Sequence, residues 1–295
     1  MTVGGLLDGG FRIVRQRAGA LLIWTIVQLA AIVAADFAIA ALMHNNIEAI
    51  YGGASPADAQ MSFLFQNFLI GLAGIAVSTI LYAAVQRSVI HPTEGGPGWL
   101  RLGKDELRLF TLVLLYLFVF FVGFLIAGLV LGFHFITAAE SAAGPLQLAL
   151  VIMGVIAGLY FGTRLSLTFP LSLKLKSFSI DDGWHLTRGH FWTLLAVYLV
   201  IFVIMLAAGL LIMLATESGY FSAASQYGFG SPEADLASVR QYEMLMRGEV
   251  DASIIIKWVL SSIQNVIGYA MFGGAAATAV QELTSDVETL EETFS

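Results

Sequence analysis

The segment Asp181-Asp182-Gly183-Trp184-His185, followed by His190, sets two carboxylates close to two imidazoles, the side chains of acid–base work or of a metal site. The histidines are five positions apart, whereas the zinc-binding HExxH helix holds its pair at i and i+4. The plainer reading is a solvated polar face. Asp36 and Lys257 lie in the first and last apolar stretches, where they can form an ion pair near the interface or a proton or substrate relay. Arg87 and Arg164 each follow a Leu-Tyr phrase by five or six residues, with no acidic residue expected in the same half of any span. Two guanidiniums at that depth either snorkel to the surface or meet around an anionic lipid phosphate. Ser261, Ser262, Gln264 and Asn265 form a polar cluster, read as interhelical hydrogen bonding or as the lining of a polar path, and Gln264 and Asn265 join Asp36 and Lys257 as the candidate intramembrane polar site. No catalytic, cofactor-binding or metal-ligating set is expected. The chain has no Cys, hence no thiolate chemistry, and no Walker-type loop, GxSxG elbow or dinucleotide fingerprint.

The elements that position these residues follow from composition. Hydrophobic residues make up 58% and charged residues 12% of the chain, against about 25% charged in a soluble domain, so one water-facing globule cannot hide its apolar surface. A helix crossing roughly 30 Å of hydrocarbon needs about 20 apolar residues. Six stretches satisfy this: Ala18 to Met43, Phe63 to Val89, Leu109 to Ile136, Pro145 to Leu171, Phe191 to Ala215 and Ala252 to Val280. The first is far too long for a signal peptide's apolar region. The expected fold is therefore all-α: one polytopic membrane domain over residues 1–282, with an outer loop at 216–251 and an acidic tail at 283–295. The net charge of −7 falls to −2 without the five acidic residues from Glu282 onward, and no basic run suggests nucleic acid as a partner.

Lys and Arg set the expected orientation, because cytoplasmic loops retain positive charge. Ten of the 14 lie before span one (Arg12, Arg15, Arg17), between spans two and three (Arg87, Arg101, Lys104, Arg108) and between spans four and five (Lys174, Lys176, Arg188). The segments His44 to Ser62 and Thr137 to Gly144 hold none, so both termini are expected in the cytoplasm.

Similar phrases precede the odd-numbered spans: Gly10-Phe11-Arg12, Gly98-Trp99-Leu100-Arg101 and Gly183-Trp184-His185, their glycines 88 and 85 positions apart. Such a period suggests three repeated units, each a surface-lying helix followed by a two-span hairpin. Leu7, Phe11, Val14 and Ala18 form one apolar stripe of this kind, and Ile180, Trp184, Thr187 and Phe191 another. Either helix can anchor the chain or dock a partner. Gly154, Gly158 and Gly162, and Gly128 with Gly132, have the GxxxG spacing of helix-packing faces. The outer loop has turn residues at Gly228, Gly230, Ser231 and Pro232 and a helical pattern from Leu236 to Met246. Its Phe221, Tyr227 and Tyr242 suit the membrane interface or a cap on the bundle.

The opening Leu6-Leu7-Asp8-Gly9-Gly10-Phe11-Arg12-Ile13-Val14-Arg15 and the later Trp184-His185-Leu186-Thr187-Arg188-Gly189-His190-Phe191-Trp192 resemble the membrane-domain family of bacterial glycerophosphoryl diester phosphodiesterases. They are also similar to related six-span proteins of unknown role. Family members joined to a phosphodiesterase carry a separate catalytic barrel after the membrane part, whereas this sequence stops at Ser295, so the resemblance implies a stand-alone membrane module and brings no catalytic residue. Two departures stand out: Leu171-Ser172-Leu173-Lys174 after Pro170, where an acidic residue is usual, and Val280-Gln281-Glu282-Leu283 without the usual tyrosine.

The function expected from the sequence is a non-enzymatic inner-membrane protein, an envelope or lipid-associated support module. Its expected partners are membrane lipids, anionic ones included, and a protein partner or a second copy. The alternative is a small transporter or lipid-handling protein in which the polar residues named above line one cavity.

Overall fold

The computed structural model describes residues 1–51, 55–94, 96–137, 143–228, 231 and 240–294, and among these the regular structure is entirely helical. Helix is the expected solution in hydrocarbon, where each backbone N–H and C=O must find its partner within the segment. The order is α1 (Val3–Gln16), α2 (Ala18–Tyr51), α3 (Pro56–Ile90), a 3-10 turn (Pro97–Trp99), α4 (Lys104–Thr137), α5 (Ala143–Leu165), α6 (Thr168–Leu175), α7 (Ile180–Leu186), α8 (Phe191–Thr216), α9 (Ser218–Tyr227), α10 (240–246) and α11 (Ala252–Phe294). Six spans are long and apolar enough to cross a bilayer. The chain is an all-α multi-pass membrane protein.

Side-chain caps fix several helix starts. Thr2 Oγ1 accepts from Gly5 N, Ser55 Oγ accepts from Asp58 N just ahead of Pro56, and Asp251 Oδ1 accepts from Ile254 N at 2.9 Å. The first hairpin extends past the apolar stretches, since α2 runs to Tyr51 and α3 begins at Pro56, where the sequence suggested loop between Met43 and Phe63. The acidic tail likewise continues α11 as helix to Phe294. The fourth stretch is broken, with α5 ending at Leu165 and α6 beginning at Thr168. Pro170 explains the break: its ring meets the carbonyl of Ser166, four residues back, and it has no N–H to donate there.

The bundle centres on α11, whose run Gly273-Gly274-Ala275-Ala276-Ala277 admits three neighbours closely. A Cβ on Gly273 would lie 3.0 Å from Val85 Cγ1 of α3, and one on Gly274 2.5 Å from Ile13 Cδ1 of α1. On the α8 side, Leu194, Val197 and Ile201 pack with Met271, Ala275 and Ala276 and with Leu6 of α1. On the other side Trp24, Leu81, Ala84 and Val85 pack against Val266 and Ala270, and Trp24 Nε1 donates to Gly98 O at 2.7 Å.

This arrangement corrects the picture of α1 as a helix merely lying on the membrane surface. Its buried face is Leu6, Gly9, Gly10 and Ile13, seated on α11, while Phe11 is exposed. The second repeat has one 3-10 turn in place of a surface helix, and the third has the seven-residue α7. What the three phrases share is a buried glycine. Gly10 sits against Met271 O, Gly98 against Trp24 and Ile23, and Gly183 against Thr168.

Candidate functional site

Between the α4–α5 hairpin and the rest of the bundle lies a cleft of about 790 Å³, inside the roughly 300–1,000 Å³ range of small-molecule sites. The α3 wall contributes Ser78, Thr79 and Tyr82, α4 Leu109, Val113 and Leu117, α5 Val155, Gly158, Leu159 and Gly162, and α8 with α11 Tyr198, Phe202, Tyr269 and Phe272. None of its lining residues is charged. Leu117, Val155, Leu159 and Phe202 remain exposed, so the cleft opens on the apolar, lipid-facing surface of the spans.

Gly158 and Gly162 are part of that wall, and a Cβ at either would meet nothing within 4 Å; the same holds for Gly154. These GxxxG steps are therefore not a helix-packing face, as their spacing suggested. The surroundings of Gly128 and Gly132 lie outside the described residues. The close-packed small residues are instead those of α11, whose adjacent Gly273-Gly274-Ala275-Ala276-Ala277 lacks GxxxG spacing.

One end of the cleft is polar without being ionic. Phe169, from α6, stands between Tyr82 of α3 and Tyr116 of α4, with ring centroids 6.1 and 5.4 Å away. Tyr198 of α8 lies beside Ser166, whose hydroxyl donates to Thr163 O. Tyr269 OH and Ser78 Oγ are hydrogen-bonded at 2.9 Å across α11 and α3. The α5–α6 break at Pro170 delivers Ser166 and Phe169 to this place. Tyr82, Tyr116 and Tyr198 share no spacing or motif in the sequence, because only the fold brings three separate helices together.

The candidate residues from the sequence lie elsewhere. Arg87 is buried and ion-paired with Glu106, and its second nitrogen donates to Trp99 O at 2.7 Å. The expectation that no carboxylate would be in reach is thus corrected: α4 begins at Lys104, ahead of the apolar stretch, and so brings Glu106 against α3. Arg164 donates to Thr187 Oγ1 at 3.3 Å and lies 5.2 to 5.9 Å from the rings of Tyr160, Trp184 and Phe191. Among the described residues the two arginines share no partner.

Asp36 and Lys257 do not pair directly. Asp36 accepts from Trp258 Nε1 at 2.6 Å and from Gln241 Nε2 at 3.0 Å, while Lys257 donates to Gln241 Oε1 and pairs with Glu217. Gln241 bridges the two ions and fastens α10 to spans one and six, with Tyr242 and Leu245 packed beside Ala40, Ile254 and Trp258. Burial, then the Asp36 and Glu217 carboxylates, raises the Tyr242 phenol above its ordinary value. Residues 236–239 of the expected loop helix lie outside the described residues, as do Gly230 and Pro232.

Gln264 donates to Met205 O of α8, Ser262 is bonded within its own helix, and Asn265 is exposed. None of Asp36, Arg87, Arg164, Lys257, Gln264 and Asn265 lines the cleft. His185 and Asp181 are exposed, 3.5 Å apart, and no cluster of three metal-ligating side chains occurs among the described residues. Searches of protein-family models, of curated proteins and of solved structures returned no match to this chain.

Proposed function

We propose that the chain is a non-enzymatic, lipid-associated module of the bacterial inner membrane that holds the apolar part of a membrane lipid in the cleft between α4–α5 and the bundle. The cleft carries this reading. It is uncharged, apolar over most of its wall and open through exposed Leu117, Val155 and Phe202 on spans that a bilayer would surround. Among the molecules of a bilayer, lipid chains match such a wall, because apolar contact there costs no desolvated charge. The glycines of α5 keep the space open. The resemblance of the Gly10-Phe11-Arg12 and Trp184-to-Trp192 phrases to the phosphodiesterase membrane domains is in keeping with a membrane module that works beside other proteins. Cytoplasmic termini belong to the same proposal and rest on the distribution of Lys and Arg.

The test is lipid retention. Full-length protein extracted in mild detergent is expected to carry a stoichiometric, tightly held lipid when the extract is analysed by chromatography and mass spectrometry. Gly158→Leu/Gly162→Leu adds side chains into open space and is expected to carry none. Equal retention by the two proteins would overturn the reading.

A further inference from the structure

A second recess, of about 230 Å³, shares no lining residue with the cleft. Arg12, Gln16 and Arg17, at the C-terminal end of α1, supply its basic wall, and Ile13 with Val89 and Pro92 near the end of α3 supply apolar ones. No carboxylate lines it. Span one begins at Ala18 and span two ends at Ile90, so the recess sits where two spans leave the hydrocarbon, at the depth of lipid headgroups. Trp99, a side chain suited to that layer, lies against the Arg17 guanidinium with its ring centroid 4.4 Å away.

The fold itself uses little of this donor capacity. Arg17 Nη2 donates to Ser88 O at 3.5 Å, and its remaining guanidinium N–H groups have no hydrogen-bond partner among the described residues. The exposed side chains of Arg12 and Gln16 have neither a hydrogen bond nor an ion pair among the described residues. The carboxylates nearest in sequence are engaged elsewhere, Asp8 with Arg15 and Glu94 with Arg101. Two guanidiniums and an amide beside apolar walls form a donor set for an oxyanion, and the planar fork of each guanidinium matches phosphate. At headgroup depth the abundant phosphate is that of a phospholipid. A zwitterionic headgroup would bring an ammonium towards two guanidiniums, whereas an anionic headgroup brings no cation to be repelled. The recess is smaller than the roughly 300–1,000 Å³ of a drug-sized site, so it admits a headgroup while the chains stay in the bilayer. We infer that Arg12, Gln16 and Arg17 bind the phosphate of an anionic phospholipid where α1 meets α3, at a site independent of the cleft.

Native mass spectrometry of the full-length protein in detergent, titrated separately with dioleoylphosphatidylglycerol and dioleoylphosphatidylcholine at fixed ionic strength, tests it. Wild type is expected to bind the phosphatidylglycerol about tenfold more tightly, as charge-assisted bonds to one phosphate allow. Arg12→Gln, which disturbs no contact of the fold, is expected to lose most of that preference. Arg15→Gln removes the same charge from the same helix but outside the recess, and is expected to keep it. Excess inorganic phosphate is expected to leave the preference in place, and so is Gly158→Leu/Gly162→Leu, which alters only the cleft. Absence of a preference in wild type, or an equal loss in Arg12→Gln and Arg15→Gln, overturns the site. Loss of the preference on adding inorganic phosphate overturns the lipid as its occupant. Loss of it in Gly158→Leu/Gly162→Leu moves the anionic lipid to the cleft, which overturns this site and leaves the lipid-binding reading of the cleft standing.

Discussion

Arg87 illustrates how a single side chain changes meaning once its neighbours are known. In the sequence it is an isolated cation near the end of a span. In the fold it is neutralised by Glu106 and held by Trp99 O, with both ionic side chains almost fully buried. Removing one member of such a pair strands the other charge, a loss of about 3–5 kcal/mol, whereas replacing both by apolar groups of similar size is often close to neutral. Glu106→Leu is therefore expected to lower the unfolding temperature in detergent strongly, and Arg87→Met/Glu106→Leu to recover most of the loss. Equal losses in the single and double variants would show that the ion pair is not what Glu106 contributes. Asp251 acts differently, as the exposed cap of α11. The Ile254 N–H and then the Ser253 hydroxyl hold its carboxyl below its ordinary value of 3.8. Because the folded value is the lower one, the stabilisation is present above pH 3.8 and is lost as pH falls through the depressed value. Protection of the first amides of α11 from hydrogen exchange, taken relative to the intrinsic rate at each pH, is expected to fall over that interval in wild type and to be low throughout it in Asp251→Ala.

At the level of elements, α1 makes the sharpest claim, because its seat on α11 depends on having no side chain at Gly10. A Cβ there would stand 2.7 Å from Met271 O, a backbone atom that cannot rotate away. Gly10→Ala is expected to destabilise by about 1–3 kcal/mol, as overpacked contacts do. Gly4→Ala, in the same helix but with nothing within 4 Å, is expected to be neutral or stabilising, since Ala is the better helix former by about 1 kcal/mol. Thermal unfolding of the two variants side by side checks this, and an equal loss in both would remove α1 from the core. The case also marks what could be read in the sequence. Span number and approximate position were legible, because apolar length reports them directly, and α8 at Phe191–Thr216 lies within a residue of its expected end. The buried face of α1 was not, since small residues carry little hydrophobic signal and Phe11 drew the stripe to the exposed side. The cleft was not legible either, for it arises where the Pro170 break and the open glycine face of α5 meet tyrosines from three other helices.

For the whole molecule, the arrangement of segments constrains topology. Contacts among the segments that flank the spans gather them on one face: Met1 N lies 3.8 Å from Glu282, Gln281 donates to Val89 O, Lys174 donates to Thr284 Oγ1 and Arg108 donates to Ser172 O. The same face holds α1, the connection from His91 to Gly103, α6 and α7, and with them nearly all the Lys and Arg expected to remain in the cytoplasm. The opposite end is fastened by Gln241 between Asp36 and Lys257, where α10 packs on the bundle. An even number of spans with both chain ends on one face leaves two orientations, which differ only in which face meets the cytoplasm. Translocation is resisted by positive loops and is little affected by acidic residues, so the proposed orientation keeps the basic face in the cytoplasm. Reporter fusions after Glu48, Glu140 and Ser231 are accordingly expected to give a periplasmic signal, and fusions after Glu94, Asp182 and Glu292 a cytoplasmic one. Reversal of all six would invert the orientation and keep the fold. Reversal of Glu94 or Asp182 alone would place one hairpin the other way across the membrane and would be incompatible with the α4–α5 hairpin forming a wall of the cleft.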